Sequence, residues 1–200
     1  IAIVGLGVSN LPLLDYFKDI DCVVSIFNEK KIEFDLLNYN YKVYEGENCL
    51  EQLVGFDIIF RSPTCRPDIN ELKAESVRGA IITSEIEMVV ELCPGKIIGV
   101  TGSDGKTTTS SLIYEILKEK GYNCYLGGNI GIPLFTKIKD MKKDSIVVLE
   151  LSSFQLMNMK IKKVEIKINK RISILVFGVL TPESRYISIA SALTKPISTI

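Results

Sequence analysis

The sequence contains no histidine and no tryptophan among its 200 residues. Without histidine, the chain lacks the side chain that most often acts as a general base near neutral pH, and it also lacks a common metal ligand. Any chemistry performed here must therefore depend on carboxylates, lysine, hydroxyl groups or a bound metal ion.

Net charge is also absent, because 24 Lys and Arg residues balance 24 Asp and Glu residues. Proteins that bind nucleic acid or an anionic membrane surface usually carry an excess of positive charge. We therefore expect no nucleic-acid partner.

Cysteine is sparse and long apolar runs are missing. The five cysteines are an odd number without a C-x-x-C pair, which argues against a disulfide framework and a structural zinc site and favours the reducing cytoplasm. The longest apolar run, ISILVFGVL at 172–180, is far shorter than the roughly 20 residues of a membrane helix. We expect a cytoplasmic protein without membrane insertion, and a monomer.

Short apolar runs alternate with helical patterns along most of the chain. Runs that are apolar throughout are typical of strands covered on both faces, so they predict an α/β fold with mostly parallel sheets. The expected strands are 1–4, 22–27, 57–60, 80–83, 96–100, 123–126 and 145–149.

A helix start and a domain boundary are expected between two of these strands. Ser84 and Glu87 have the spacing of a capping box, and Pro94 and Gly95 precede the next strand. We predict domains at 1–93 and 94–160, followed by a divergent tail at 161–200.

The tail differs in composition from the rest of the chain. Residues 161–200 hold seven Lys or Arg and two Glu, a net charge of +5. Residues 1–160 hold seventeen Lys or Arg and twenty-two Asp or Glu, a net charge of −5. The stretch VEIKINKRISILVFGV at 164–179 alternates as strands do. This shift leads us to expect a truncated or inactive fragment.

The stretch GVTGSDGKTTTSSLI at 99–113 joins an apolar strand to an amphipathic helix. The loop Gly102, Ser103, Asp104 and Gly105 can turn backbone N–H groups inward, and the following helix adds its positive end. Lys106 would reach the β- and γ-phosphates of a bound nucleotide, the Thr107 hydroxyl would bind Mg²⁺, and Thr108 is a further candidate for binding the phosphates.

An ordinary glycine-rich turn before a helix is the alternative interpretation. Consecutive threonines at a helix start cost several tenths of a kcal/mol each relative to alanine, so a purely structural turn has little reason to contain them. In the helix itself, Leu112, Ile113, Ile116 and Leu117 are expected to form the buried stripe.

A second group of candidates follows two neighbouring strands. Glu150 ends the apolar run at 145–149, and a carboxylate in such a place is costly unless it is paired or on a metal ion. We interpret it as a second Mg²⁺ ligand, with a surface glutamate as the alternative. Asn129, in YLGGNIGIP at 125–133, offers an amide to a substrate or is part of a turn.

The chain begins with a strand followed by Gly5-Leu-Gly7. This start is similar to dinucleotide-binding turns, although Asn10 occupies the third glycine position. The loop binds a nucleotide-type ligand through backbone N–H groups, assisted by Ser9, or it is only a tight turn.

Taken in order, GLGVS, RSPTCRPD, ITSEIE, GVTGSDGKTTT, GGNIGIP and ELSSFQL resemble the Mur ligase family over residues 1–160. The resemblance is strongest to the type that adds D-glutamate to UDP-N-acetylmuramoyl-L-alanine. It implies a Rossmann-like amino-terminal domain for the UDP end of the substrate, followed here by part of a P-loop-type central ATPase domain.

The resemblance also implies the reaction. ATP would phosphorylate the L-alanyl carboxylate, and the amine of D-glutamate would displace phosphate from the acyl phosphate to form an amide in peptidoglycan precursor synthesis. ATP and Mg²⁺ are the implied cofactors.

Positions matching the family motifs imply roles for further residues. Lys106 and Glu150 would be catalytic, Asn129 and Ser152 would lie on the substrate side, Val8 and Ser9 would meet the uracil and diphosphate, and Glu29 and Lys30 would hold the uracil end. Thr64 is implied as another substrate-side residue. At two positions this sequence departs from the family, which usually has Asp in place of Asn28 and Gly in place of Thr64.

Beyond Lys160 the resemblance ends. The family's metal-side histidine and its usually carbamylated lysine have no counterpart here. Two alternatives therefore stay open, a catalytically dead nucleotide-binding fragment and an NAD-dependent oxidoreductase that uses the Gly5 loop.

Overall fold

The computed structural model describes residues 1–33, 36, 39–159, 164–167 and 174–179. They form two compact units. The first comprises Ile1–Leu92, Gly131–Asp140 and Phe154–Met159, and the second contains Cys93–Ile130, Met141–Ser153 and the strands after residue 160. Each unit has one five-stranded sheet. The fold is therefore α/β with mostly parallel strands, as the apolar runs predict.

The first unit has a parallel sheet. Its elements are β1 (Ala2–Val4), α1 (Leu11–Lys18), β2 (Ser25–Asn28), β3 (Lys42–Glu45), β4 (Ile58–Arg61), α2 (Asn70–Arg78), β5 (Ile81–Thr83) and α3 (Glu85–Leu92). The strand order is β3-β2-β1-β4-β5, and every pair is parallel. This is the Rossmann-like order, in which ligands bind at the carboxyl ends of the central strands.

Both faces of this sheet are covered by apolar side chains. One face packs Val4, Phe27 and Ile59 against Leu72 of α2. On the other face the rings of Phe17 and Phe60 lie 5.6 Å apart. Phe135, from the Gly131–Asp140 part of the unit, contacts Phe60 at the same distance of 5.6 Å. A strand buried on both faces has no polar side, which is why the strand runs are uniformly apolar.

The second unit has a mixed sheet. Its elements are β6 (Lys96–Gly102), α4 (Lys106–Glu119), β7 (Cys124–Gly128), β8 (Ile146–Glu150), β9 (Val164–Lys167) and β10 (Ile174–Val179). Helix α5 (Ser153–Asn158) follows β8 in the chain and belongs to the first unit from Phe154 onward. The order is β7-β8-β6-β10-β9. β6, β7 and β8 are parallel, whereas β10 is antiparallel to β6 and β9. The strands β9 and β10 fall within the alternating stretch 164–179; residues 168–173 between them, and most of the predicted tail, lie outside the described residues.

Helix α4 buries a different stripe from the predicted one. Ile113, Tyr114 and Leu117 pack on the sheet, and Ser110 is fully buried. Leu112 and Ile116 are 59% and 39% exposed, so the prediction was wrong for these two residues. The spacing 110, 113, 114, 117 defines one helix face, and Leu112 and Ile116 lie beside it.

The seven strands expected from apolar runs are all present, with ends shifted by a few residues. β3 was missed, because its sequence KVYE contains two charged residues and its side chains are mostly exposed at a sheet edge. Across the part of the chain that the structure describes, no helix is both long and apolar enough to cross a membrane.

Candidate functional site

The loop between β6 and α4 is held by the lysine that follows it. Lys106 Nζ donates to the carbonyl oxygens of Gly102 at 2.8 Å and Ser103 at 3.2 Å. Among the described residues no side chain caps α4, whose N-cap is Gly105. A helix start with open N–H groups and a nearby ammonium group is a suitable place for a phosphate group.

The other side chains of this loop are accessible. Ser103, Asp104, Thr107 and Thr108 are exposed, and Lys106 is half-buried. The exposed Thr107 hydroxyl lies in the first turn of α4. The loop is therefore open to a ligand from solvent.

Glu150 ends β8, next to the strand that carries this loop. Its register partner in β6 is Val100, and the Leu151 N–H donates to the Val100 carbonyl at 2.8 Å. Side chains alternate along a strand, so Glu150 shares a face with Ile146 and Val148, which pack with α4 residues. The carboxylate thus lies on the α4 face of the sheet, at the strand end nearest the start of that helix.

Glu150 is 4% exposed, and its Oε2 atom has no hydrogen-bond partner in the described structure. A buried carboxylate oxygen without a donor is costly unless a cation neutralises it. Mg²⁺ prefers oxygen ligands and is commonly held by one or two protein groups together with phosphate oxygens and water. Glu150 Oε2 and the Thr107 hydroxyl are therefore oxygen ligands of the kind that Mg²⁺ binds.

No group of three or more His, Cys, Asp or Glu side chains is arranged to hold a metal ion in the described part of the chain. The described residues therefore do not form a metal site made of protein ligands alone. A site shared between protein oxygens and phosphates needs fewer protein ligands.

Asn129 and Ser152 follow the ends of β7 and β8. The Asn129 N–H donates to the Glu150 carbonyl at 2.9 Å, so the loop after β7 is joined to the end of β8. The Asn129 side chain is exposed, and Ser152 is half-buried. All predicted site residues of the second unit therefore lie at the carboxyl ends of three adjacent strands, β7, β8 and β6.

The predicted site residues of the first unit also follow adjacent strands. Val8 and Ser9 come after β1, Glu29 and Lys30 after β2, and Thr64 after β4. Val8 is 84% exposed, and Glu29, Lys30 and Thr64 are exposed too. The parallel order β2-β1-β4 places all three loops at one edge of the sheet.

Two of these loops are in close contact. A Cβ atom at Gly5 would lie 2.5 Å from Ser62 Oγ, so only glycine allows the loop after β1 to approach the loop after β4. Ser62 Oγ and Thr64 Oγ1 are 3.0 Å apart and share a hydrogen bond. The Thr64 hydroxyl is thereby oriented within its loop.

Comparison with known proteins identifies the chain. Residues 100–174 match the family described as Mur ligase middle domain. The UDP-N-acetylmuramoylalanine--D-glutamate ligase of Clostridium botulinum (strain Okra / Type B1) is 47% identical over 167 residues, which is 80% of this chain. The chain belongs to the Mur ligase family. The ligase of the same name from Clostridium tetani (strain Massachusetts / E88) is 49% identical over 166 residues.

This Mur ligase chain spans 36% of the length of both clostridial relatives. Among solved structures, the UDP-N-acetylmuramate:L-alanyl-gamma-D-glutamyl-meso-diaminopimelate ligase from Neisseria meningitides is similar with a TM-score of 0.45 and 23% identity. That similarity covers 74% of this chain and 51% of the Neisseria chain.

A buried ion pair at the end of β4 was not predicted from the sequence. Arg61 Nη2 lies 2.6 Å from Glu87 Oε1, and the two side chains are 6% and 15% exposed. Burial raises the pKa of Glu87, while the charge and hydrogen bond of Arg61 oppose that change. Arg61 Nη1 also donates to the Cys65 carbonyl at 3.4 Å. The pair therefore joins the loop after β4 to α3.

The sequence held one signal for this pair, an arginine at the end of an apolar strand. A buried arginine needs a carboxylate partner. The partner could not be chosen from the sequence, because Glu87 was already explained by its capping-box spacing. Glu87 takes part in both the helix cap and the ion pair, since its backbone N–H also donates to Ser84 Oγ at 3.4 Å.

Proposed function

We propose that this chain serves an ATP-dependent ligase that adds D-glutamate to UDP-N-acetylmuramoyl-L-alanine in cytoplasmic peptidoglycan precursor synthesis. The names of the clostridial relatives support the substrates. The observation that carries the proposal is the buried Glu150 oxygen without a partner, at the strand end beside the Lys106 loop.

The domain limits belong to the same proposal. Residues 1–93 form the Rossmann-like domain for the UDP end of the substrate, and residues 94–160 form part of the ATP-binding central domain. Residues 161–200 are proposed as the divergent tail, although the family match extends to residue 174 and β9 and β10 pair within the sheet of the second unit. The chain acts as a monomer.

The ATP site is proposed in the second unit. The loop residues Gly102, Ser103, Asp104 and Gly105 present N–H groups to the triphosphate, and Thr108 extends the first turn of α4. Lys106 places its ammonium group at the β- and γ-phosphates, replacing its present carbonyl acceptors. Thr107 and Glu150 hold Mg²⁺, which supplies positive charge to offset the repulsion between the anionic substrates.

The reaction has two steps. The L-alanyl carboxylate oxygen attacks the γ-phosphorus of ATP, the bond to the β-phosphate oxygen breaks, and ADP leaves. The amine of D-glutamate then attacks the carbonyl carbon of the acyl phosphate. Inorganic phosphate leaves with the bonding electron pair and takes up the proton that the nitrogen loses as the amide forms. Lys106 stabilises the charge that develops on the transferred phosphoryl group.

The remaining candidates are proposed as substrate contacts. Val8 and Ser9 meet the uracil and diphosphate, Glu29 and Lys30 hold the uracil end, and Thr64 contributes its oriented hydroxyl. In the second unit, Asn129 and Ser152 face the substrate.

Ligand-dependent melting of the 200-residue chain tests the proposal. We expect ATP with Mg²⁺ to raise the melting temperature, and UDP to raise it separately, because stabilisation follows from binding to the folded state. NADH should have no effect. A chain stabilised by NADH but not by ATP with Mg²⁺ would contradict the proposal in favour of an oxidoreductase.

Phosphate release separates a working ligase from a nucleotide-binding fragment. Inorganic phosphate is measured after UDP-N-acetylmuramoyl-L-alanine and D-glutamate are added with ATP and Mg²⁺. Phosphate that forms only when both substrates are present supports turnover by this chain. ATP binding without phosphate release assigns the chain as an inactive nucleotide-binding fragment.

A further inference from the structure

One side chain connects two of the loops assigned to the UDP end of the substrate. Asn28 ends β2, and its Oδ1 atom accepts a hydrogen bond from the Leu6 N–H at 2.9 Å. Its Nδ2 atom donates to the Lys30 carbonyl at 2.7 Å. Asn28 therefore fixes the loop after β1 and the turn after β2 to each other.

The chemistry of these two bonds requires an amide. The Leu6 N–H needs an acceptor, and the Lys30 carbonyl needs a donor. A carboxylate has acceptor oxygens only, so an aspartate could keep the first bond but would place negative charge against the carbonyl of the second. An apolar side chain would remove both bonds and leave the Leu6 N–H and the exposed Lys30 carbonyl to water, so that the two loops would no longer be joined.

A second asparagine holds the same loop from its inner side. Asn10 is fully buried, and its Nδ2 atom donates to the carbonyls of Gly5 at 2.9 Å and Val4 at 3.3 Å. The tip of the loop lies between these two anchors and exposes 84% of Val8. The base of the loop is thus fixed on both sides while its tip faces solvent.

We propose that Asn28 is a positioning residue that sets the spacing between the Val8 and Ser9 loop and the Glu29 and Lys30 turn before the UDP end of the substrate arrives. This inference rests on the proposed function of these loops. Because Asn28 is an amide whose oxygen and nitrogen both bond to the backbone, the carboxylate at the end of β2 is that of the exposed Glu29, which is already assigned to the uracil end and can also reach a hydroxyl of the attached ribose. In related sheets an acid at this strand end binds the ribose.

The test compares Asn28→Ala and Asn28→Asp with the control Asn48→Ala. Asn48 is exposed and makes no side-chain cap bond to the short 3-10 helix Cys49–Gln52 that follows it. UDP and ATP dissociation constants are measured by calorimetry for the 200-residue chain, and exchange of the Leu6 amide proton is followed by NMR. Circular dichroism confirms that each variant is folded.

We expect Asn28→Ala to raise the UDP dissociation constant about tenfold and to accelerate exchange of the Leu6 amide by a similar factor, as loss of hydrogen bonds of ordinary strength predicts. Asn28→Asp should keep the Leu6 amide protected and still bind UDP more weakly than the wild type. The ATP dissociation constant should not change in any variant, because the proposed ATP site uses none of these residues.

Two different failures can be told apart. If the wild-type chain binds UDP and Asn28→Ala binds it equally well, the positioning role is overturned and the proposed function stands. If the wild-type chain binds ATP with Mg²⁺ but no UDP, the assignment of these loops to the substrate is overturned, and the positioning role with it.

Discussion

The backbone N–H of Asn129 donates to the backbone carbonyl of Glu150 at 2.9 Å. The residue before Asn129 makes this approach possible, because a Cβ atom at Gly128 would lie 2.0 Å from the same carbonyl oxygen. The loop after β7 is thus joined closely to the end of β8, which carries Glu150 of the candidate ATP site.

Gly128→Ala should therefore destabilise the second unit. The backbone at Gly128 has φ +98°, and the added methyl group would collide with the Glu150 carbonyl. Gly121→Ala is the matched control, since Gly121 has φ +78° and open space around it. We expect Gly128→Ala to cost about 1–3 kcal/mol more unfolding free energy than the control, as overpacking does. Equal costs in urea denaturation would show that the close approach does not form.

Glu150→Gln keeps the shape of the side chain and removes its charge. If Glu150 holds Mg²⁺, the variant should lose most of the increase in ATP affinity that Mg²⁺ gives the wild type. Glu115→Gln, at an exposed position of α4, is the control and should bind as the wild type does. The measurement is the ATP dissociation constant with Mg²⁺ and with EDTA. If Mg²⁺ increases the ATP affinity of Glu150→Gln as much as that of the wild type, Glu150 is not a ligand of the metal ion.

Glu75 should contribute stability that depends on pH. Its carboxylate is fully buried and accepts from the N–H groups of Gly55 at 2.8 Å and Phe56 at 3.2 Å, and it pairs with Arg78. Burial raises the pKa of Glu75. This effect is outweighed by the Phe56 N–H, by Arg78 and by the Gly55 N–H, so the pKa of Glu75 lies below its ordinary value. The folded state therefore favours the ionised form.

A lowered pKa means that this stability is present above the pKa of the unfolded chain and is lost as pH falls through the lower, folded-state pKa. Between about pH 5 and pH 3, the wild type should lose more unfolding free energy than Glu75→Gln. Glu75→Ala should cost about 1–3 kcal/mol near neutral pH because two N–H groups lose their acceptor. Parallel pH profiles of wild type and Glu75→Gln would contradict this prediction.

Glu85 should behave in the opposite way. Burial raises its pKa, although the N–H groups of Phe135 and Leu134 lower it in part, and the Phe135 N–H lies 2.7 Å from Glu85 Oε1. A raised pKa means that the stabilisation is present below the unfolded-state pKa and is lost as pH rises through the folded-state pKa.

We therefore expect wild-type stability to fall relative to Glu85→Gln as pH rises from about 4 to about 7. Glutamine keeps an acceptor oxygen for Phe135 and carries no charge. The exposed Glu91→Gln is the control and should follow the wild-type profile. Thermal melts across this range measure the effect, and a constant difference between wild type and Glu85→Gln would refute it.

Most strands could be predicted from the sequence, because burial on both faces leaves a simple apolar signal. Glu150 was also placed correctly at the end of a buried strand, since a carboxylate after four apolar residues is conspicuous. The prediction failed for Leu112 and Ile116, because several apolar residues in one helix allow more than one buried stripe. Only the position of α4 on the sheet decides between them.

Pairings between distant residues could not be predicted from one sequence. Arg61 and Glu87 meet across 26 positions, and Asn28 meets Leu6 across 22. At the level of sequence, Asn28 is only a departure from the aspartate usual in the family. Its two hydrogen bonds give it a role, since they use both the oxygen and the nitrogen of the amide.

In the proposed site, the loop before α4 binds the ATP triphosphate through Lys106. Calorimetric titration of the 200-residue chain with a non-hydrolysable ATP analogue and Mg²⁺, for wild type, Lys106→Ala and Lys118→Ala, tests it most directly. Lys118 lies in the last turn of the same helix and serves as the control. We expect Lys106→Ala to weaken binding by about tenfold or more, as loss of a charged hydrogen bond does, and Lys118→Ala to bind like the wild type. Equal affinity of Lys106→Ala and wild type would contradict it.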